Sequence, residues 1–261
     1  MGEYVSEAEV YKQSMAALNQ WGPQWKLHAK VNGIMNEKQG RKRIVELTDM
    51  SADRVGICVA YGPSLVRDIL SLKKLYDAGS EIICVDKAFK KLMEHNIKPK
   101  YVILADANVS FDKYLKGLET EDIILISNVC ASIEWTSYWK GPIYFYVNKD
   151  NINSEQMFMP LSGIWDVIPA SSNVGNTVIM IGIQILGYPK MLLVGYDYCW
   201  YPRENFNFIG TDGKMTPATL IAKDSEMIVV NNKGKVIYKL SPPDLQKFDL
   251  ASPFYYGLEE N

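Results

Sequence analysis

Arg54-Val-Gly-Ile-Cys-Val-Ala-Tyr-Gly-Pro-Ser-Leu65 is the stretch from which the fold can be read. From Val55 to Ala60 it is an unbroken apolar run rich in β-branched residues, which predicts a strand covered on both faces. The run stops at Tyr61-Gly62-Pro63-Ser64, and Leu65, Ile69, Leu72 and Leu75 then recur at helical spacing. Gly62 permits a sharp turn and close approach of a ligand. Pro63 gives up an N–H that the first helical turn has no use for. The N–H groups that follow are expected to face the mouth of the strand, where a helix start favours phosphate. The same residues also suit a tight turn that holds nothing.

Outward from this stretch the pattern alternates. A strand at 81–85 is followed by a helix over 87–95, a strand at 101–104 and a short helix near 111–117. Strands at 123–126 and 143–147 enclose a helical piece around 131–139, and a helix over 174–186 leads to a strand at 191–194. Residues 148–171 and 209–226 read as irregular. Such alternation predicts an α/β fold, a Rossmann-like, mostly parallel sheet with helices on both faces. Residues 4–35 read as helical, with Pro23 as a break, and form an N-terminal helical cap in which His28 is a half-exposed packing residue. Met227 to Leu240 reads as a hairpin turning at Asn231 to Gly234, or its second half alone as a late strand of the main sheet. The expected divisions are a cap over 1–50, a nucleotide-binding transferase domain over 51–243 and a C-terminal helix or tail over 244–261, with Ser241-Pro-Pro-Asp244 starting the helix.

Composition narrows the function. The 261 residues carry a formal net charge of −2, which leaves no basic excess for broad nucleic-acid binding. The four cysteines are scattered without a C-x-x-C pair, so they read as reduced thiols rather than a disulfide framework or zinc site. The opening Met-Gly-Glu-Tyr-Val-Ser has neither the basic start nor the apolar core of a signal peptide, and no stretch is apolar enough to span a bilayer. A cytoplasmic protein without an integral membrane segment is expected.

Polar residues fall repeatedly just after the strands: Gly62 and Ser64 after the first, Asp86 after the second, Asp106 and Asn108 after the third, Ser127 and Asn128 after the fourth, Asp197 after the last. In a parallel sheet these ends share one edge, where such folds bind ligands. Asp86 lies at a spacing from Gly62 that suits a ribose hydroxyl, and it equally suits a cap for the following helix. The glycines of a full dinucleotide fingerprint are missing, which disfavours NAD. In Ser171-Ser-Asn-Val-Gly-Asn-Thr177, Asn173 and Asn176 stand at a helix start, where exposed N–H groups suit a further anionic group or a simple cap. His95 ends a helix on the opposite edge. With no histidine after it, a general base at the rim is expected to be a carboxylate or a tyrosine.

Ala60-Tyr-Gly-Pro-Ser-Leu65, Leu92-x-x-His-Asn-Ile-Lys-Pro99 and Leu186-Gly-Tyr-Pro-Lys-Met-Leu-Leu-Val-Gly-Tyr-Asp-Tyr198 resemble the motility accessory factor and 6-hydroxymethylpterin diphosphokinase MptE-like family. The Gly-Pro-Ser-Leu turn, Leu-Gly-Tyr and Gly-x-Asp-aromatic pieces are also similar to bacterial sialyltransferases that use CMP-sialic acid. The sialyltransferase resemblance implies that Gly62, Pro63 and Ser64 line the nucleotide phosphate and ribose, and that Asp86 and Asp106 replace asparagines that contact the nucleotide. Tyr61 departs from that group's asparagine, and 209–226 lacks its catalytic histidine. The diphosphokinase branch resembles enzymes with paired aspartates holding magnesium, where this chain has Asp106-Ala-Asn108.

The expected function is therefore a nucleotide-sugar-dependent glycosyltransferase with a CMP-activated, sialic-acid-like donor, a glycan or protein acceptor and no required cofactor. The alternatives are ATP- and Mg2+-dependent pyrophosphoryl transfer, with Asp106 as metal ligand, and a non-catalytic nucleotide-binding module. Nucleotide contacts are expected from Gly62, Pro63, Ser64, Asp86, Asp106, Asn128, Asn173 and Asn176. Asp197, with Tyr198 beside it, is expected to act as base or base-orienting group, or else as a carboxylate holding its own loop. The aromatic run from Tyr196 to Phe208 offers an acceptor sugar a stacking wall, or packs as a lid.

Overall fold

The computed structural model describes residues 7–169, 173–197, 206–209, 215–223, 226–231, 233, 235–240 and 258–260. The chain divides into two compact units, one of Met1–Tyr61 with Asp68–Val194 and one of Gly62–Arg67 with Gly195–Asn261.

In the first unit the strands are β1 (Val55–Val59), β2 (Glu81–Val85), β3 (Tyr101–Leu104), β4 (Ile124–Asn128), β5 (Ile143–Lys149), β6 (Val167–Pro169) and β7 (Lys190–Val194). They form one seven-stranded sheet in the order β6-β5-β4-β3-β2-β1-β7. Every pair is parallel. The apolar runs explain the centre: all of β3 and the last four residues of β2 are buried. At the edge, Leu192 and Leu193 of β7 are each 46% exposed. The helices are α1 (Glu7–Lys38), α2 (Ser64–Asp77, whose first turn belongs to the other unit), α3 (Asp86–Glu94), α4 (Phe111–Tyr114), α5 (Ile133–Tyr138), α6 (Glu155–Ser162) and α7 (Val174–Gln184). The strands step one way from β1 to β6 and then return to the other side of β1. Right-handed crossovers therefore place α7 opposite the other connecting helices. Accordingly α3 and α7 both pack on β2 and β3. The expected Rossmann-like sheet with helices on both faces is present.

Two expectations fail in this unit. Residues 148–171 contain α6 and β6. Pro23 does not break α1, which runs through it for 32 residues. Pro23 and Asn19, whose carbonyl loses its donor, are both exposed, so water can replace the missing bond. α1 packs against α5, α6 and β5. Gly33 makes that approach possible, since a Cβ there would lie 2.2 Å from the Ser162 carbonyl oxygen.

The second unit holds β8 (Phe206–Ile209), β9 (Met215–Lys223), β10 (Glu226–Asn231), β11 (Val236–Leu240) and β12 (Leu258–Glu260). They form an antiparallel sheet in the order β11-β10-β9-β8-β12. The hairpin over Met227 to Leu240 is present as β10 and β11. Its turn is held by Asn231 Oδ1, which accepts from the amides of Lys233 and Lys235, both at 3.0 Å. The alternative, a late strand of the main sheet, is excluded. β9 overturns the irregular reading of 209–226. The helix expected from Ser241 lies outside the described residues, and the described part of the tail is β12. No described helix is long and apolar enough to cross a membrane.

Candidate active site

The register brings Asp86, Asp106 and Asn128 to one edge of the parallel sheet. Val85 is level with Ile103, Leu104 with Ser127, and Asn128 with Tyr146. Asp86 is 1% exposed. Its Oδ1 accepts the Lys87 amide at 2.7 Å, whereas Oδ2 is buried without a hydrogen-bond partner. Burial pushes this carboxyl up to about 7, and the Asp106 charge adds to the rise. The Lys87 charge and the amides of Lys87 and Ala105 oppose it. A carboxylic acid of this kind can accept or donate a proton near neutral pH. The Tyr146 hydroxyl is likewise buried without a partner. Its acidity is suppressed by burial first and by the Asp86 charge second. Asp106 is exposed and its Oδ1 accepts the Asn108 amide at 2.8 Å, while Asn128 is buried and its Oδ1 accepts the Cys130 amide at 2.8 Å. Ser132 N–H donates to the Asp106 carbonyl at 3.1 Å, which ties the loops after β3 and β4 together.

α1 completes this edge in a way the sequence reading missed. Gln24, His28 and Asn32 recur every fourth residue and lie on one helix face. Gln24 Nε2 donates to Asn108 Oδ1 at 2.8 Å. His28 Nδ1 lies 3.1 Å from the Cys130 carbonyl oxygen. Asn32 Nδ2 donates to the Val129 and Ala131 carbonyls at 2.9 and 3.1 Å, and its Oδ1 accepts from Thr136 Oγ1 at 2.7 Å. His28 is therefore not a half-exposed packing residue but 6% exposed, on the loop after β4. A histidine thus stands at the edge where a carboxylate or a tyrosine was expected as general base. The available signal was the polar stripe itself. His95, as expected, ends α3 toward the other edge, its Nδ1 2.9 Å from the Lys91 carbonyl.

At the start of α7, Asn173 Oδ1 accepts the Asn176 amide at 2.9 Å, a side-chain cap. Ser171 and Ser172 lie outside the described residues.

Within the second unit the turn Gly62-Pro63-Ser64 meets Asp197. Gly62 N–H donates to the Gly195 carbonyl at 2.8 Å. Asp197 Oδ2 accepts from both Ser64 N–H (2.9 Å) and Ser64 Oγ (2.8 Å). A Cβ on residue 62 would fall 2.2 Å from that same Oδ2, which is why glycine stands there. One of the N–H groups expected to await a phosphate is thus already taken by the protein's own carboxylate. Tyr198 lies outside the described residues, as do Trp200 and Tyr201.

Two further features bound the chemistry. No group of three His, Cys, Asp or Glu side chains suited to a metal occurs among the described residues. A magnesium ion that keeps several waters and binds phosphate needs only one or two carboxylates. Asp106 can offer its Oδ2 in that role. A shallow pocket lined by Tyr76, Asp77, Glu81, Lys98 and Lys100 lies where β2 and β3 begin, on the amino edge, and its carboxylate Glu81 is already bonded on both oxygens.

A family model described as 6-hydroxymethylpterin diphosphokinase MptE-like matches residues 32–203. No curated protein matches the chain. Among solved structures, a MAf glycosyltransferase from Magnetospirillum magneticum AMB-1 is similar at 15% identity and a TM-score of 0.45, over 67% of this chain and 32% of that one. The chain thus spans about a third of the length of that glycosyltransferase.

Proposed function

This chain belongs to the 6-hydroxymethylpterin diphosphokinase MptE-like family, and on that premise we propose that it transfers a group from a nucleotide donor to a hydroxyl acceptor. The observation that carries the reading is Asp86, a buried carboxyl with one oxygen unpartnered at the carboxyl edge of a parallel sheet. Leaving such a group unsatisfied costs about 1–3 kcal/mol, and a ribose hydroxyl donated to Oδ2 removes that cost. Asp106 and Asn128 extend the nucleotide contacts along the edge. Asn173 and Asn176, at the start of α7, are further nucleotide contacts in this reading.

The first reading is glycosyl transfer from a CMP-activated, sialic-acid-like donor, without a metal. The second is pyrophosphoryl transfer from ATP with Mg2+, favoured by the family's description and limited by the single carboxylate of Asp106-Ala-Asn108. Asp197 has the role of an orienting group: its two bonds to Ser64 fix the turn that contains Gly62 and Pro63. A phosphate at this turn must displace that carboxylate or approach it with a cation between them.

A thermal-shift panel of CMP, CDP, UDP and ATP, with and without magnesium, tests the proposal. Stabilisation by CMP without metal supports the first reading, and by ATP only with magnesium the second. Binding without turnover across a broad acceptor panel leaves a nucleotide-binding module, and no stabilisation by any of them removes the proposal. Asp197→Asn is expected to loosen this turn and lower nucleotide affinity and turnover together, whereas unchanged affinity with turnover down by about 10²-fold would make Asp197 the base or base-orienting group. Loss of cooperative unfolding in that variant instead assigns Asp197 to holding the turn alone.

A further inference from the structure

We infer that His28, carried on α1, is the proton acceptor for the incoming hydroxyl, a step that rests on the transfer reading above and that neither of its versions supplies. Transfer to a hydroxyl needs a group to take the proton as the new bond forms. Asp197 has Oδ2 committed twice to Ser64. The chain contains two histidines, and His95 lies toward the amino edge. His28 stands on the loop after β4, the same edge as Asp86, Asp106 and Asn128.

The hydrogen bond to Cys130 decides which nitrogen acts. A carbonyl oxygen only accepts, so at 3.1 Å the Nδ1 of His28 carries the proton. In the neutral ring the lone pair then lies on Nε2, and no hydrogen bond to Nε2 occurs among the described residues. The placement is rigid. One turn before, Gln24 is bonded to Asn108, and one turn after, Asn32 is bonded to Val129, Ala131 and Thr136. A histidine serving only as a packing residue needs no such clamp on both sides, because its own contacts would hold it. Catalytic groups need one.

In the step, Nε2 takes the acceptor's hydroxyl proton while that oxygen forms its bond to the electrophilic centre of the donor. The bond from that centre to the nucleotide's phosphate oxygen breaks, and the nucleotide leaves with the electron pair. The imidazolium then returns its proton to solvent. No oxidant or further reactant is required.

Because the chain has two histidines, their imidazole proton signals report on the two sheet edges separately, and His95→Gln assigns them. Titrating the full chain with CMP, and separately with ATP and magnesium, should move the His28 signal and leave His95 still. In parallel, His28→Asn keeps an N–H to offer Cys130. It should bind nucleotide within about twofold of the parent while nucleotide release from the donor falls by about 10²- to 10⁴-fold. Nucleotide binding that leaves the His28 signal unmoved overturns the inference, as does a His28→Asn variant with turnover within about threefold of the parent. If His28→Asn does not fold, the spectra of the parent protein decide alone. If no nucleotide binds the parent at all, the transfer reading itself has failed, which is a different result.

Discussion

β2 begins at Glu81 and is followed directly by Asp86, so one strand places a carboxylate at each edge of the parallel sheet, and the fold treats the two oppositely. Glu81 is fully answered. Its Oε1 accepts from Ser51 Oγ and, at 2.6 Å, from the Tyr188 hydroxyl, while Lys100 Nζ binds Oε2 at 2.6 Å. Burial alone would push Glu81 up, but the bonds from Lys100, Ser51 and Tyr188 outweigh it and hold the group below its ordinary value. Asp86 has a hydrogen bond from the Lys87 amide, an oxygen without a hydrogen-bond partner and a like-charged neighbour; burial outweighs the opposing pull of the Lys87 charge and of the Lys87 and Ala105 amides, and the group is pushed up. The amino edge is built for stability and the carboxyl edge is left unfinished. A polar group kept buried and unanswered is the mark of a site whose partner arrives from outside.

The largest test of the contrast is Asp86→Asn. The folded-state carboxyl is raised to about 7 from an ordinary 3.8, so the folded protein holds its proton longer than the unfolded chain does. Its favourable contribution is complete below the unfolded value and is lost as pH rises through about 7. The asparagine variant escapes that loss. It should equal the parent near pH 3 and exceed it above pH 8 by up to about 4 kcal/mol in urea unfolding, while nucleotide binding weakens. Equal stability at both pH values would mean that Asp86 is already satisfied.

Glu81→Gln should do the reverse. It removes the charge that Lys100 and the Tyr188 hydroxyl are bonded to, and should cost about 2–3 kcal/mol at pH 7 with no effect on nucleotide affinity. Because the folded value is lowered, Glu81 contributes above its unfolded value, and the difference from the parent should vanish as pH falls through the folded value. A nucleotide-binding defect in this variant would break the division between the edges.

Tyr146→Phe is the smallest and sharpest. Removing a buried hydroxyl that has no partner should be neutral or stabilise by about 1 kcal/mol in thermal unfolding. A loss of about 1 kcal/mol or more would show that the hydroxyl is bonded in the free protein, and the carboxyl edge would then be less open than described.

The sequence exposed this edge well where a single local rule applied. Strand runs ending in Asp86, Asp106 and Asn128 needed only the parallel topology to converge, and the hairpin at Asn231 announced its turn. It failed where tertiary contacts decided. Pro160 and the largely polar run over 148–156 hid α6, and Thr216-Pro217 and Thr219 hid β9 by interrupting its apolar residues. Pro23 read as a break because local sequence does not reveal that its side of α1 faces solvent. His28 looked like surface for the same reason: a polar stripe along a helix points to water unless something distant answers it. Asp197 was singled out from position alone, and its grip on Ser64 could not be foreseen from residues 133 apart in sequence.

The stripe on α1 also sets an order of events as the chain folds. Asn32 reaches carbonyls 97 and 99 residues further on, and His28 reaches one 102 residues away. Contacts of such separation form slowly, since the loop they close must lose its entropy before they gain anything. β1 to β4 pair through nearer neighbours and can assemble first. The clamp around His28 then closes after β1 to β4 have paired, as does the still longer-range pairing of β7 with β1, so a protein arrested at that stage would keep its central strands and lack the clamp. Recovery of activity after dilution from urea should therefore lag behind recovery of secondary structure, and truncating Asn32 to alanine should lengthen the lag.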